Sequence, residues 1–209
     1  MDRLLYIEAS PRKNRSSSIA VAKTFIETYR EKHNNDRIET IDLWQTPLPE
    51  FNGEVIKAKY AIYHSREFTD AQRQAWGMVE RVIAQFTGAD KYLFSLPMWN
   101  FGIPYKLKHY IDVIVQPGYT FSFSPEEGYS GLVTGKPAAT VYSRAGAYGP
   151  DSGMESYDLQ RKYLETALGF IGFSDIQSVM IEETLGPDEV KEKNMAAARK
   201  LAQKIAVDF

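Results

Sequence analysis

R-L-L-Y-I-E-A at Arg3–Ala9 runs into S-P-R-K-N-R-S-S-S at Ser10–Ser18 and then into I-A-V-A-K-T-F-I-E-T-Y-R-E-K at residues 19–32. The first piece is a short apolar run stopped by Ser-Pro, which reads as a strand. The last places Ile19, Val21, Ala22, Phe25, Ile26 and Tyr29 at helical spacing, so a helix is predicted over Ser16–Lys32. A strand, a polar loop and a helix in that order open a βαβ unit, in which the next strand returns parallel to the first. R-I-E-T-I-D-L at Arg37–Leu43 alternates and supplies that strand.

The same alternation continues outward. Thr69 with Gln72 three residues on matches a capping box. It opens a helix carrying Ala75, Val79, Val82, Ile83 and Phe86 on one face. Lys91–Leu96 reads as a third strand, Pro104–Val115 as a helix with proline in its first turn, and Pro137–Tyr142 as a fourth strand. Tyr157–Ile171 reads as a helix, Ser174–Ile181 as a fifth strand, and Asp188–Val207 as a terminal helix. Strands alternating with helices predict an α/β fold with a parallel sheet covered on both faces. Five such strands suit a flavodoxin-like order, 2-1-3-4-5. Two stretches exceed this minimum: Trp44–Phe68, with a short helix expected over Glu54–His64, and Gly118–Gly135. The latter alternates aromatic and small polar residues around P-E-E-G and predicts a hairpin inserted before strand four. No linker, repeat or low-complexity tract divides residues 1–209, which predicts a single domain.

Composition narrows the function. Lys+Arg is 25 and Asp+Glu 27, a formal charge of −2. That balance argues against a nucleic-acid partner. The absence of cysteine removes disulfides, Cys-ligated metal and a thiol nucleophile, and it fits a reducing cytoplasm. The N-terminus lacks the apolar run of a signal peptide, and no stretch approaches the ~18 apolar residues of a membrane span. Aromatic residues reach 13%. That content suits an aromatic core, a planar ligand or an aromatic subunit interface equally.

In an open parallel sheet, ligands bind beyond the carboxyl ends of the strands where the strand order reverses. The loops after strands one, three and four meet there. Ser10–Ser18 leads into a helix N-terminus, whose free N–H groups and dipole suit a phosphate. Ser10, Ser16, Ser17 and Ser18 add hydroxyls, and Arg12 or Arg15 adds charge. Any one serine alone reads as a helix cap, and it is the nine-residue loop with four serines and two arginines at the switch point that suits a phosphate. After strand three, P-M-W-N-F-G-I-P brackets Trp99 and Phe101 with Pro97 and Pro104. Those rings could fold into the core, but the stiff loop and the amide of Asn100 suit the edge of a planar heterocycle. After strand four, S-R-A-G-A-Y-G at Ser143–Gly149 lets backbone N–H groups approach a ligand, with Arg144 readable as a solvated surface residue. One phosphate cradle and one planar-ring loop at one crevice match flavin mononucleotide.

These motifs carry a resemblance. Ser10 with S-S-S at Ser16–Ser18, P-M-W-N-F at Pro97–Phe101, L-x-T-G-K at Leu132–Lys136, S-R-A-G at Ser143–Gly146 and L-G-F-I-G at Leu168–Gly172 occur in order along essentially the whole chain. Together they resemble the FMN-dependent NADH-azoreductases within the flavodoxin-like NAD(P)H:quinone reductases. The resemblance implies non-covalent FMN, with NADH or NADPH as co-substrate. It implies the phosphate on Ser10, Arg12 and Ser16–Ser18, and the ring held by Pro97, Met98, Trp99, Asn100 and Phe101 with Ser143, Arg144, Ala145 and Gly146. It also implies a homodimer. Trp99 and Ala145 depart from the more usual Tyr and Gly. Trp keeps a stacking surface, and Ala keeps the N–H but disfavours positive φ.

The implied reaction passes a hydride from NAD(P)H through FMN to quinones and azo compounds. The flavin carries the chemistry and no side chain acts as nucleophile. With one planar site, donor and acceptor take turns in a ping-pong scheme. The competing reading is a flavodoxin-like electron carrier, although carriers are usually shorter and more acidic. A phosphate-ester hydrolase on the same fold would lack a cysteine nucleophile. Tyr119, Phe121 and Phe123 alternate, which predicts one aromatic face on the hairpin. That face would either cap the chain's own core or sit at a two-fold interface, where Tyr119 and Phe121 would wall the acceptor pocket. G-L-V-T-G-K-P at Gly131–Pro137 is one residue short of a phosphate loop, and no G-x-G-x-x-G occurs. His33, His64 and His109 show no metal-ligand spacing. N-R-S at Asn14–Ser16 is a glycosylation sequon without secretory context.

Overall fold

A computed structural model describes residues 1–63, 67 and 69–209. Five parallel strands form one sheet: β1 (Arg3–Glu8), β2 (Arg37–Asp42), β3 (Lys91–Pro97), β6 (Ala138–Ser143) and β7 (Ile176–Ile181). Their spatial order is β2-β1-β3-β6-β7. The numbers skip β4 (Phe121–Ser124) and β5 (Gly128–Gly131), which pair antiparallel as a separate two-stranded sheet. Six α-helices lie among the described residues: α1 (Ser17–Lys32), α2 (Gly53–Tyr63), α3 (Asp70–Thr87), α4 (Tyr105–Ile114), α5 (Leu159–Phe170) and α6 (Asp188–Asp208). The helix expected over Glu54–His64 ends on a residue outside the described set. No helix among the described residues is long and apolar enough to cross a membrane.

The central strands β1, β3 and β6 bury both faces, and strand alternation divides the core in two. Leu4 and Tyr6, Leu93, Ala139 and Val141, and Val179 and Ile181 face α1 and α6, where they meet Phe25, Tyr29, Ala202 and Phe209. Leu5 and Ile7, Tyr92, Phe94 and Leu96, Ala138 and Tyr142 face α3, α4 and α5, meeting Phe86, Leu107, Ile111, Leu164 and Leu168. Burying each such Leu, Ile or Phe contributes roughly 1.5–3 kcal/mol. Of the polar groups in these strands, the Tyr6 hydroxyl lies 2.8 Å from Ser95 Oγ and Thr140 Oγ1 2.9 Å from Ser178 Oγ, while the buried Tyr142 hydroxyl has no partner among the described residues.

Capping sets the helix starts. Thr69 Oγ1 accepts from the Gln72 amide while Gln72 Oε1 accepts from the Thr69 amide, so the capping box forms. The buried stripe of α3 is Trp76, Val79, Ile83 and Phe86, with Ala75 and Val82 only partly covered. Asp158 caps α5 by accepting from the Arg161 amide. Tyr157 therefore stays outside the helix, in a single 3-10 turn over Glu155–Tyr157.

The β4–β5 pair rests on the end of α5. Thr120 Oγ1 is buried, donating to the Ile114 carbonyl and accepting from the Gln116 amide, which ties the pair's start to the end of α4. Val133 N donates to the Ile171 carbonyl at 2.8 Å. Gly131 lies so close to Gly172 that a Cβ built on it would sit 2.3 Å from the Gly172 nitrogen. Gly172 itself has φ +116. The expected single aromatic face does not form. Tyr119 lies in the turn before β4 and turns away to α3, where its hydroxyl accepts from Trp76 Nε1 and donates to Glu80. Phe121 packs instead on Phe170 and Tyr129, and Phe123 is 56% exposed.

Candidate functional site

The carboxyl ends of β1, β3, β6 and β7 open on one crevice of about 190 Å³. It is lined by Ser10, Arg12, Ser16 and Ser17 from the β1–α1 loop, Pro97, Met98 and Trp99 after β3, and Ser143, Arg144 and Ala145 after β6. Thr184 and Leu185, after β7, close the remaining side. These last two were missed by sequence reasoning, which followed only three strands. The signal was the T-L-G turn directly after the fifth strand.

The β1–α1 loop is shaped for an anion. Ser10, Ser16 and Ser18 are buried. Ser16 is the N-cap, its Oγ accepting from the Ile19 amide and lying 3.1 Å from Ser18 Oγ. The amides of Ser17 and Ser18 have no acceptor among the described residues, as the first turn of a helix requires. Ser18 lies behind the crevice wall and braces Ser16. Two cations of the loop have different fates. Lys13 is bound to Glu8 at 2.7 Å and Asp42 at 2.5 Å. Burial pulls its pKa down, the hydrogen bonds to Asp42 and Glu8 pull it up, and the net shift is upward. Arg12 is exposed and has no ion-pair partner among the described residues, so its charge stays available to the crevice.

The β3 loop holds a strained turn. Trp99 and Gly102 exchange both backbone hydrogen bonds at 2.9 Å, while Asn100 has φ +47 and Phe101 φ +69. This is a left-handed two-residue turn of the I′ kind. Asn tolerates that region, but a bulky residue there is an outlier of the type stored at functional sites. The amides of Asn100 and Phe101 have no acceptor among the described residues. The Phe101 ring sits at the rim against Tyr157, 5.3 Å away. Met98 N donates to the Ser143 carbonyl at 2.7 Å and fixes this loop to the next.

The β6 loop corrects one sequence reading. Arg144 is not a solvated residue: its guanidinium is buried, 2.7 Å from Asp158 and 3.6 Å from Glu182. Its carbonyl accepts from both the amide and hydroxyl of Thr184. The side chain therefore ties the loop after β6 to the cap of α5, and its own N–H is spent on the Ile181 carbonyl at 2.9 Å. Ala145 lies outside the left-handed region, so the Cβ that replaces the usual glycine hydrogen adds no strain.

Asn100 lines a neighbouring cavity of about 490 Å³, shared with the crevice through Trp99 and bounded by Ile103, Tyr105, Leu159 and Tyr163. Phe101 and Gly146 adjoin the crevice in sequence without lining it. Tyr119 and Phe121 line neither space within one chain.

The donor set fits FMN. Free helix-start amides, three hydroxyls and an available guanidinium suit a phosphate, and unsatisfied amides beside an indole suit a flavin ring edge. The chain matches the family defined by a flavodoxin-like fold over residues 2–205, and it belongs to that family. It is 50% identical to an FMN-dependent NADH:quinone oxidoreductase of Desulfotalea psychrophila, across 100% of this chain and 98% of that protein. A second FMN-dependent NADH:quinone oxidoreductase, from Nitratidesulfovibrio vulgaris, is 44% identical over the full length of both. Among solved structures, the FMN complex of an FMN-dependent NADH-azoreductase from Bacillus anthracis superposes with a TM-score of 0.86. It is 31% identical and covers 99% of this chain and 100% of that one.

Proposed function

We infer that the protein is an FMN-dependent oxidoreductase that uses NADH to reduce quinones and azo compounds. The observation that carries this is the meeting, at one crevice, of an unsatisfied helix start with serines and of Pro97, Met98 and Trp99 from the loop after β3, with the free amides of Asn100 and Phe101 next in that loop. Support comes from full-length relatives and a superposing structure whose names state that chemistry.

Ser10, Ser16, Ser17 and Arg12 would hold the phosphate, with the helix-start amides of Ser17 and Ser18. Pro97, Met98 and Trp99 would hold the ring, beside Ser143 and Arg144. When bound, FMN supplies the hydride-transfer chemistry that no side chain here offers. The amides of Asn100, Phe101, Ala145 and Gly146 would stabilise negative charge at the ring edge. Thr184 and Leu185 would limit water at the open side.

One planar-ring crevice implies that donor and acceptor occupy it in turn, a ping-pong order. In this reading residues 1–209 act as one domain and as a homodimer in the cytoplasm. The partner subunit would bring the aromatic side chains of its β4–β5 pair near the crevice, since Tyr119 and Phe121 do not reach it in their own chain. Steady-state NADH oxidation at several fixed quinone concentrations is expected to give parallel double-reciprocal lines. Intersecting lines would refute the shared site. Bound flavin without NADH oxidation would make the protein an electron carrier.

A further inference from the structure

The segment after β2 touches both ends of the crevice without lining it. The Asp42 carboxylate receives Lys13 from the β1–α1 loop and accepts from the Trp44 amide at 3.0 Å. Trp44 Nε1 donates to the carbonyl of Ala9, one residue before Ser10, at 3.0 Å. The same indole packs on Trp99 with centroids 5.7 Å apart and edge-on to Tyr105 at 5.4 Å. Trp99 and Tyr105 are 6.1 Å apart, which closes a three-ring cluster. One half-buried side chain thus holds the start of the anion loop through its N–H and the ring wall through its face.

We propose that Trp44 is a positioning residue for the flavin: its N–H sets the Ser10 loop for the phosphate, and its ring sets Trp99 against the flavin. This rests on FMN occupying the crevice, as proposed above. The two functions separate chemically. Trp44→Phe keeps an aromatic face for Trp99 and removes the donor to Ala9. Trp44→Leu removes both. A lost neutral hydrogen bond is worth about 1 kcal/mol, and 1.4 kcal/mol is tenfold in affinity.

The test is titration of FMN and of riboflavin, which lacks the phosphate, into apo-protein, read by tryptophan emission. Trp76, the third tryptophan, is buried between α2 and α3, so Trp76→Phe is a background in which emission reports only the site. Trp44→Phe is expected to weaken FMN roughly fivefold while riboflavin affinity is unchanged. Trp44→Leu is expected to weaken both ligands, FMN by at least about tenfold, and to abolish the far-ultraviolet exciton couplet of the Trp44–Trp99 pair. A general loss of stability would lower affinity for both ligands alike in both variants, and that result overturns the proposal. So does wild-type FMN affinity in Trp44→Phe and Trp44→Leu. If Trp44→Leu fails to fold, the FMN-to-riboflavin ratio of Trp44→Phe decides alone. A wild-type protein that binds no FMN would instead defeat the functional reading.

Discussion

The β1–α1 loop and the β4–β5 pair are both short and polar-edged, yet they depend on the rest of the chain in different ways. The loop's groups lie within nine consecutive residues, and its key geometry, a capped helix start, is local. The strand pair is fixed by contacts far along the chain: Thr120 on the end of α4, Val133 on Ile171, and Gly131 on Gly172. The Ser16 helix start is set by its own residues and needs only Trp44 and Asp42 to hold the loop before it, whereas the strand pair depends throughout on its contacts with α4 and Gly172. The anion loop should therefore lose ligand without losing fold, and the strand pair should do the reverse.

The sharpest way to break this contrast is Gly131→Val. A Cβ there meets backbone that cannot yield, so a loss on the order of 3 kcal/mol is expected, read by chemical denaturation. FMN affinity of the folded fraction should hold, and a parallel collapse of affinity would mean the two regions are coupled. A smaller effect is expected at the turn between them. The left-handed region costs a residue with a side chain ~1–2 kcal/mol, and the Phe101 ring is 41% exposed. Phe101→Gly should raise apo-protein stability by about 1 kcal/mol, or Tm by roughly 2–4 °C. A fall in Tm would show that the Phe101–Tyr157 contact outweighs the strain. Smaller still in stability is Phe121→Ala. In the homodimer proposed above it should weaken association or raise the acceptor KM by several-fold while FMN affinity stays put. Sedimentation and acceptor kinetics unchanged from wild type would make Phe121 an ordinary packing residue.

The same contrast explains what could be read from the sequence. Strand and helix periods are local, so the five parallel strands and their helices are legible, as are the capping box at Thr69 and the position of Ser10, Ser16 and Ser17 at the carboxyl end of the sheet. The burial of Arg144 is not, because Asp158 and Glu182 reach it from separate elements. Nor is the Trp99–Gly102 turn. Asn100 hints at left-handed backbone, but Phe101 beside it argues against it on propensity alone. The row of Tyr119, Phe121 and Phe123 failed because β4 begins only at Phe121, and a period of two means nothing inside a turn. Trp44 carried no motif. Its role lies in which loops it touches.

The measurement that bears most directly on the anion loop as the FMN site is an FMN binding isotherm for wild type and for Ser16→Ala, Ser17→Ala and Ser18→Ala combined. The hydroxyls of Ser16 and Ser17 are worth ~1 kcal/mol or more each as charge-assisted bonds, so the triple variant should bind FMN at least about tenfold more weakly, while loss of the Ser16 cap lowers its stability by about 1 kcal/mol. Wild-type affinity in a well-folded triple variant would contradict the assignment of Ser10–Ser18 as the phosphate cradle.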